Sequence, residues 1–182
     1  MSTGIGRRRV QRVPDSWPVV HLEERPPPWS ALELGGLLDR PRRYRLDELV
    51  ALGGERRTIA VHCVWGWSRP HAVWEGVTLG RVLDAAGPSG PWLTVRSASG
   101  AYSSCLPIDD AARGMLAWAR DGEPLTAEAG GPLRFVVPPE YWSYKGVKWA
   151  GRLDVWDRFV PGFWETCVAD PVGRIPPEVE LP

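Results

Sequence analysis

The sequence predicts an α+β fold, with mixed β-sheets and a few short helices. Three observations carry that prediction. Short apolar runs rich in Val, Leu, Ile and Trp recur along the chain, bounded by Gly and Pro. Clear helical spacing with a start and a stop is confined to a couple of short segments. Strands and helices do not alternate in a regular βαβ rhythm, so an all-parallel sheet is not indicated. Twenty glycines and 19 prolines add many turns and long ordered loops, where sites are commonly built.

Taken in order, residues 1–13 read as a solvated, flexible tail and 14–182 as a single domain, a size large enough to bury a core. His21 to Trp29 contains three consecutive prolines and reads as an extended surface segment. Ala31 to Leu34 alternates and reads as a strand ending at Gly35-Gly36. Leu46 to Leu52 has apolar residues at helical spacing and stops at Gly53-Gly54. Thr58 to Cys63 reads as one buried strand. A helix follows, with Thr78 as its N-cap, Leu79, Val82, Leu83 and Ala86 on one face, and Gly87-Pro88 as its stop. Trp92 to Ser97 and Ala101 to Ile108 read as strands joined through Gly100. The run DDAARGMLAWA fits helix or strand. Asp121 to Pro124 is a turn, and Leu133 to Pro138 and Gly151 to Asp157 are further strands. The remainder is rich in Pro and Gly and is expected to wrap the surface.

Charge and composition exclude several classes. The formal net charge is zero, so no overall field draws nucleic acid or an anionic membrane. The cluster Arg7, Arg8, Arg9 and Arg12 lacks the apolar segment that twin-arginine export requires. No stretch is long and apolar enough to span a bilayer. Three widely spaced cysteines argue against a disulfide framework and fit a reducing compartment. Together these features predict a cytoplasmic protein. Of 22 basic residues only Lys145 and Lys148 are lysines, and both fall in KGVK. A compact ammonium is a different tool from a planar guanidinium fork.

Two stretches hold candidate chemistry. The run TIAVHCVWGWSRPHAVWEGVTL, Thr58 to Leu79, ends an apolar strand with Cys63, beside His62 and a tryptophan-rich loop. Local pattern leaves Cys63 open as a small buried hydrophobe, a metal ligand or a nucleophile. Successive strand residues face opposite ways, so His62 is poorly placed as a base for its neighbour. Cys105 and Cys167 lack CxxC spacing, and His21, His62 and His71 form no zinc-ligand pattern. The second stretch is GGPLRFVVPPEYWSYKGVKW. Arg134 can fork onto phosphate, Lys145 and Lys148 can reach anionic groups, and Gly146 permits close backbone approach. Neither a dinucleotide nor a P-loop fingerprint is present.

The order HCVWGWSRPHAVWEGVTLGRVLDAAG, DGEPLTAEAGGPLRFVVP, YKGVKW and VPGFWE resembles the molybdopterin-binding domain of the sulfite oxidase family. It is most like the stand-alone, haem-free bacterial members, and the resemblance runs from about Trp17 to Glu165. It implies a sulfite-oxidase-type fold, a molybdenum-molybdopterin cofactor and oxygen-atom transfer to or from a small molecule, either a sulfite-like or a sulfoxide-like substrate. It implies that Cys63 ligates molybdenum, a role suited to a soft anionic donor. It implies that Arg134, Gly146, Val147 and Lys148 hold the cofactor, with Lys145, Ser103 and His21 as further contacts. His62 and Tyr102 then border the reacting centre. Trp65, Trp67 and Trp74 are expected to wall the substrate funnel, with at least one of them a core residue.

The chain also departs from the pattern. Sulfite-oxidising relatives place an arginine before the metal cysteine, and here His62 stands there. Arg69 and His71 are the alternative sources of positive charge. Thr166, Cys167 and Val168 follow FWE where relatives continue with Gly-Tyr-His. No CxxCH haem site is present, so the resemblance implies a separate electron-transfer partner, for a domain expected to be monomeric. The competing reading is a non-catalytic binding module of the same fold, holding another anionic ligand or a protein partner. A thiol enzyme using Cys63 is the third.

Overall fold

The computed structural model describes residues 12–19, 26–167 and 170–182. Two mixed or antiparallel sheets form its body. The first contains β1 (Leu32–Gly36), β2 (Arg42–Tyr44) and, from later in the chain, Trp92–Ser97, Ser103–Pro107 and Ala150–Trp156. Between the early and late parts come α1 (Leu46–Ala51), β3 (Glu55–Thr58), β4 (Val61–Cys63), β5 (Trp67–Arg69), β6 (Val73–Thr78) and α2 (Leu79–Asp84). The strands Trp92–Ser97 and Ser103–Pro107 are β7 and β8, followed by α3 (Ile108–Ala112), β9 (Met115–Arg120), β10 (Glu123–Pro124) and β11 (Arg134–Val136). A 3-10 turn (Ser143–Lys145), β12 (Ala150–Trp156) and α4 (Phe163–Cys167) complete the order.

The first sheet runs β2-β1-β12-β7-β8, and the second runs β10-β9-β6-β3 with β11 also on β9. Only the β1–β12 pair is parallel among these ladders. A separate hairpin, β4–β5, carries the cysteine stretch. The larger core cluster gathers Leu32, Leu93, Val95 and Leu153 from the first sheet, Val77, Leu116 and Phe135 from the second, and Leu79, Val82 and Leu83 from α2. Burying such aliphatic side chains contributes roughly 1.5–3 kcal/mol each before chain entropy is charged against it.

The observed elements refine the sequence expectations. Thr58–Cys63 is not one strand. Its first residue ends β3, paired to β6, while Val61–Cys63 pairs with β5 in another sheet. The chain changes sheets at Ile59, whose amide donates to Ala72 O at 3.0 Å. The ambiguous DDAARGMLAWA contains both structures, α3 and then β9. Gly114 makes the joint, because an added Cβ would lie 2.6 Å from the Phe135 ring and 2.8 Å from Val136 O. The turn Asp121-Gly122 has φ of 53° and 91° and closes a tight β9–β10 hairpin. Thr78 is the N-cap of α2, but its hydroxyl makes no capping bond. Instead the Leu79 amide donates to Gly114 O at 3.0 Å. Arg12, expected in the tail, pairs with Trp67.

Candidate active-site cleft

Cys63 ends β4 at the tip of the hairpin. Gly66 turns the chain with φ of 88°, and its amide donates back to Cys63 O at 3.0 Å. A left-handed residue is needed there, which favours glycine. The hairpin presents Cys63 to a cleft of about 370 Å³, while leaving only 8% of the residue exposed. Burial pushes the thiol pKa up, and hydrogen bonds from the Trp65 amide and the Ser143 hydroxyl pull in the opposite direction. The cysteine is therefore not enclosed in the apolar core. It is a largely buried sulfur at the cleft wall with two donors aimed at its anionic form.

The other side of the cleft is cationic. Arg134 starts β11, donates to Ala129 O at 2.9 Å and lies 5.5 Å from the Trp74 ring centroid. Burial, and then the nearby Arg120, push its pKa down to about 10. Lys148 donates to Glu128 O at 3.2 Å. Burial first, then Arg134 and Arg120, lower its pKa to about 7. Gly130 makes room for that lysine, since an added Cβ would lie 2.6 Å from Lys148 Cγ, at a φ of +96°. Arg120 thus lowers the pKa of both Arg134 and Lys148, and Arg134 lowers that of Lys148, so like charges crowd this wall of the cleft.

Several predicted residues sit elsewhere. Lys145 is wholly buried and points away from the cleft. Its ammonium pairs with Glu165 Oε1 at 2.5 Å and donates to Cys105 O at 2.6 Å and Pro171 O at 3.1 Å. The 3-10 turn ends at Lys145 and the chain runs extended from Gly146, so positions 145 and 148 lie on different local backbone. His62 faces away from Cys63, as strand alternation requires, with its Nδ1 2.8 Å from Ser68 Oγ. Burial lowers its pKa, so the ring is neutral at neutral pH. Val147 is buried and exchanges both backbone hydrogen bonds with Phe135, so it supports the loop from behind. Ser103 pairs with Arg96 on the first sheet and is not part of the cleft lining. Tyr102 does line the cleft, but its hydroxyl donates to Tyr144 O. Burial drives that phenol pKa well above its ordinary value, which suits a fixed donor rather than a proton shuttle. His21 lies outside the described residues.

Gly146 lines the cleft, as do Trp65, which is 63% exposed, and Trp67. Trp74 is the core tryptophan of the three, fully buried, with its indole N–H donating to Ile59 O at 3.2 Å. His71 is exposed and outside the lining. Sequence reading missed Trp17, Arg120, Ser143 and Trp164. The only signal for Arg120 was a charge closing the apolar run MLAWAR, and Trp17 carried none.

A strand-end cysteine and a cationic wall on one cleft agree with a molybdopterin-dependent oxidoreductase domain. The chain belongs to the oxidoreductase molybdopterin binding domain family, whose model matches residues 19–164. It is 35% identical over 163 residues to the uncharacterized oxidoreductase YuiH of Bacillus subtilis, covering 85% of this chain and 81% of that one. It is 34% identical over 162 residues to MsrP of Xanthomonas axonopodis pv. citri, a protein-methionine-sulfoxide reductase catalytic subunit. That match covers 79% of this chain and 48% of MsrP, so the chain spans about half the length of this relative. Among solved structures, the sulfane dehydrogenase SoxCD of Paracoccus pantotrophus superposes with a TM-score of 0.63 at 26% identity. That superposition covers 71% of this chain and 38% of SoxCD.

The residues present fit the family's cofactor. Among the described residues, no three or more His, Cys, Asp or Glu side chains gather to hold a metal. A metal meeting Cys63 must therefore bring most of its ligands with it, as molybdenum on a pterin dithiolene does. Arg134 and Lys148, both depressed by burial and by Arg120, suit an anionic phosphate end, which would raise their pKa values again.

Proposed function

We propose that this chain catalyses oxygen-atom transfer on a sulfur compound, reducing a sulfoxide to a sulfide, with the Cys63 thiolate as the protein ligand to molybdenum. The observation that carries the reading is Cys63 opening onto the same cleft as Arg134 and Lys148. The similarity to a methionine-sulfoxide reductase subunit supports the direction. The net conversion consumes two electrons and two protons and releases sulfide and water, with electrons supplied by a separate redox partner.

When bound, the molybdenum-pterin group supplies two-electron oxygen transfer, and the protein supplies placement and electrostatics. Cys63 would hold the metal as a thiolate, and coordination would offset the penalty that burial places on that form. Ser143 and the Trp65 amide then hold the sulfur as hydrogen-bond donors. Arg134, Lys148 and the Gly146 backbone would hold the anionic end. Tyr102 braces the loop by its bond to Tyr144 O. Trp65, Trp67 and Trp164 form an apolar approach that excludes water and suits a thioether or sulfoxide sulfur.

The test is elemental. Wild-type protein made in a cofactor-producing host should carry stoichiometric molybdenum and reduce a sulfoxide with a viologen dye as donor. Cys63→Ser should lose turnover and most of its metal while keeping its fold by circular dichroism. Full molybdenum retention in a folded, active Cys63→Ser would refute the ligand assignment.

A further inference from the structure

The loop that carries Ser143, Gly146 and Lys148 has two sides. Its front lines the cleft through those residues. Its back is covered by residues 170–175, which do not line the cleft. The two segments meet in an antiparallel bridge at Tyr141 and Arg174. Trp142 N donates to Gly173 O at 3.0 Å, and Ile175 N donates to Glu140 O at 2.8 Å. The Tyr144 hydroxyl donates to Asp170 O at 3.1 Å, and Lys145 Nζ donates to Pro171 O at 3.1 Å. Trp142 also forms a parallel bridge with His62, the neighbour of Cys63. Residues 140–142 are thus tied both to the cysteine strand β4 and to the segment 170–175.

Glycine lets that segment lie close. Gly173 has a φ of +74°, and an added Cβ would lie 2.6 Å from Lys145 Cδ. Both the left-handed backbone and the close approach favour a residue without a side chain. An ionic latch outside the cleft holds the segment down. Asp110, on α3, accepts at Oδ2 from Arg174 Nη2 and from the Tyr141 hydroxyl, each at 2.5 Å. Its Oδ1 accepts from Arg113 Nη2 at 2.6 Å, and Arg113 also pairs with Glu140. The Arg174 guanidinium carbon lies 5.1 Å from the Tyr141 ring centroid. One carboxylate therefore joins α3, the loop and the covering segment. Burial raises the pKa of Asp110, but the bonds from Tyr141, Arg113 and Arg174 outweigh it, so the carboxylate is ionised at neutral pH.

We propose that residues 170–175 form a positioning strap for the cofactor-holding loop 143–148, latched by the Arg174–Asp110 ion pair. Asp110 and Arg174 are then positioning residues of the Cys63 site. The proposal rests on the reading of the cleft as a molybdenum-pterin site. The Ser143 hydroxyl donates to the Cys63 sulfur. A hydrogen bond weakens steeply with misalignment, so Ser143 acts on that sulfur only while its loop is held in place. The same strap fixes the backbone of Gly146 and the start of the chain that carries Lys148 into the cleft.

The experiment compares wild type with Arg174→Met and Arg174→Lys, at a side chain that is 51% exposed. Gly146 N donates to Ser143 O and Val147 N donates to Phe135 O. In the cofactor-free chain, hydrogen exchange at these two amides should speed up about tenfold in Arg174→Met, the loss expected for one charge-assisted contact. Amides of β7 and β12 should change less. Made in a cofactor-producing host, Arg174→Met should retain less molybdenum after gel filtration, and Arg174→Lys should recover part of it. In loaded protein, Ser143→Ala should shift the paramagnetic resonance signal of molybdenum(V), and Arg174→Met should shift it in the same direction. The double variant should add no further shift, because both changes remove one contact. If the chain takes up no molybdenum, the cofactor reading falls and hydrogen exchange alone decides the strap. Unchanged exchange at Gly146 and Val147, equal acceleration in β7 and β12, wild-type molybdenum retention in Arg174→Met, no recovery in Arg174→Lys, or additive shifts in the double variant would each overturn the strap.

Discussion

Lys145 and Lys148 are three residues apart in KGVK and have opposite surroundings. Lys145 is enclosed with Glu165, whose Oε1 also accepts from Ser104 Oγ at 2.7 Å and Cys105 N at 3.0 Å, and whose Oε2 accepts Gly162 N at 2.8 Å. Lys148 shares its cleft with Arg134 and Arg120. The first ammonium has its countercharge built in. The second donates to Glu128 O and is set among like charges. Burial lowers the pKa of both, but Glu165 opposes the shift at Lys145 while two arginines reinforce it at Lys148. Equal residue types in one motif thus divide into a buried ion pair and a cleft-lining cation.

The largest effect is expected from breaking the buried ion pair. Lys145→Met leaves Glu165 buried and without its cation, a change that costs about 3–5 kcal/mol. Urea denaturation should register that loss, and the double variant Lys145→Met with Glu165→Leu should recover part of it. Equal stability of Lys145→Met and wild type would remove the distinction between the two lysines.

Lys148→Met should act in the opposite sense on stability. In cofactor-free wild type, Lys148 titrates near 7 when folded and near its ordinary 10.5 when unfolded. Between those values the unfolded chain binds more protons, so this lysine makes stability rise with pH across that window. Lys148→Met should flatten that rise, read as the difference between the two pH–stability curves. The same variant should retain less molybdenum after gel filtration. Identical pH slopes would show that the arginines do not depress Lys148.

The smallest effects separate the sites by shape. Lys148→Arg should keep most of the bound molybdenum, since a phosphate accepts either cation. Lys145→Arg should remain destabilised by roughly 1–3 kcal/mol, because the larger fork overfills a closed pocket. Thermal melts and metal content on the two variants measure this directly.

Much of the architecture was legible from local pattern. The helix Leu46–Ala51, the helix after Thr78 and the strands Trp92–Ser97 and Ala150–Trp156 lie where spacing placed them, because each has a one-sided or continuous apolar pattern. Val73–Thr78 escaped notice, since Glu75 and Gly76 interrupt its apolar run. Arg42–Tyr44 escaped because it is an edge strand with mostly exposed residues. At the site, Cys63, Arg134 and Lys148 were visible through motif order. Trp17 and Ser143 were not, since each reaches the cleft through a contact remote in sequence.

Residue order alone specified the α+β class, the cysteine at a strand end and the basic loop that follows GGPLRF. Those features depend on propensities and spacings that act over a few residues. Which lysine faces the cleft, which tryptophan is core and which arginines line the cleft were settled only by folding. Each of those outcomes depends on the charges and rings that distant segments bring within a few ångströms, and local spacing carries no information about them.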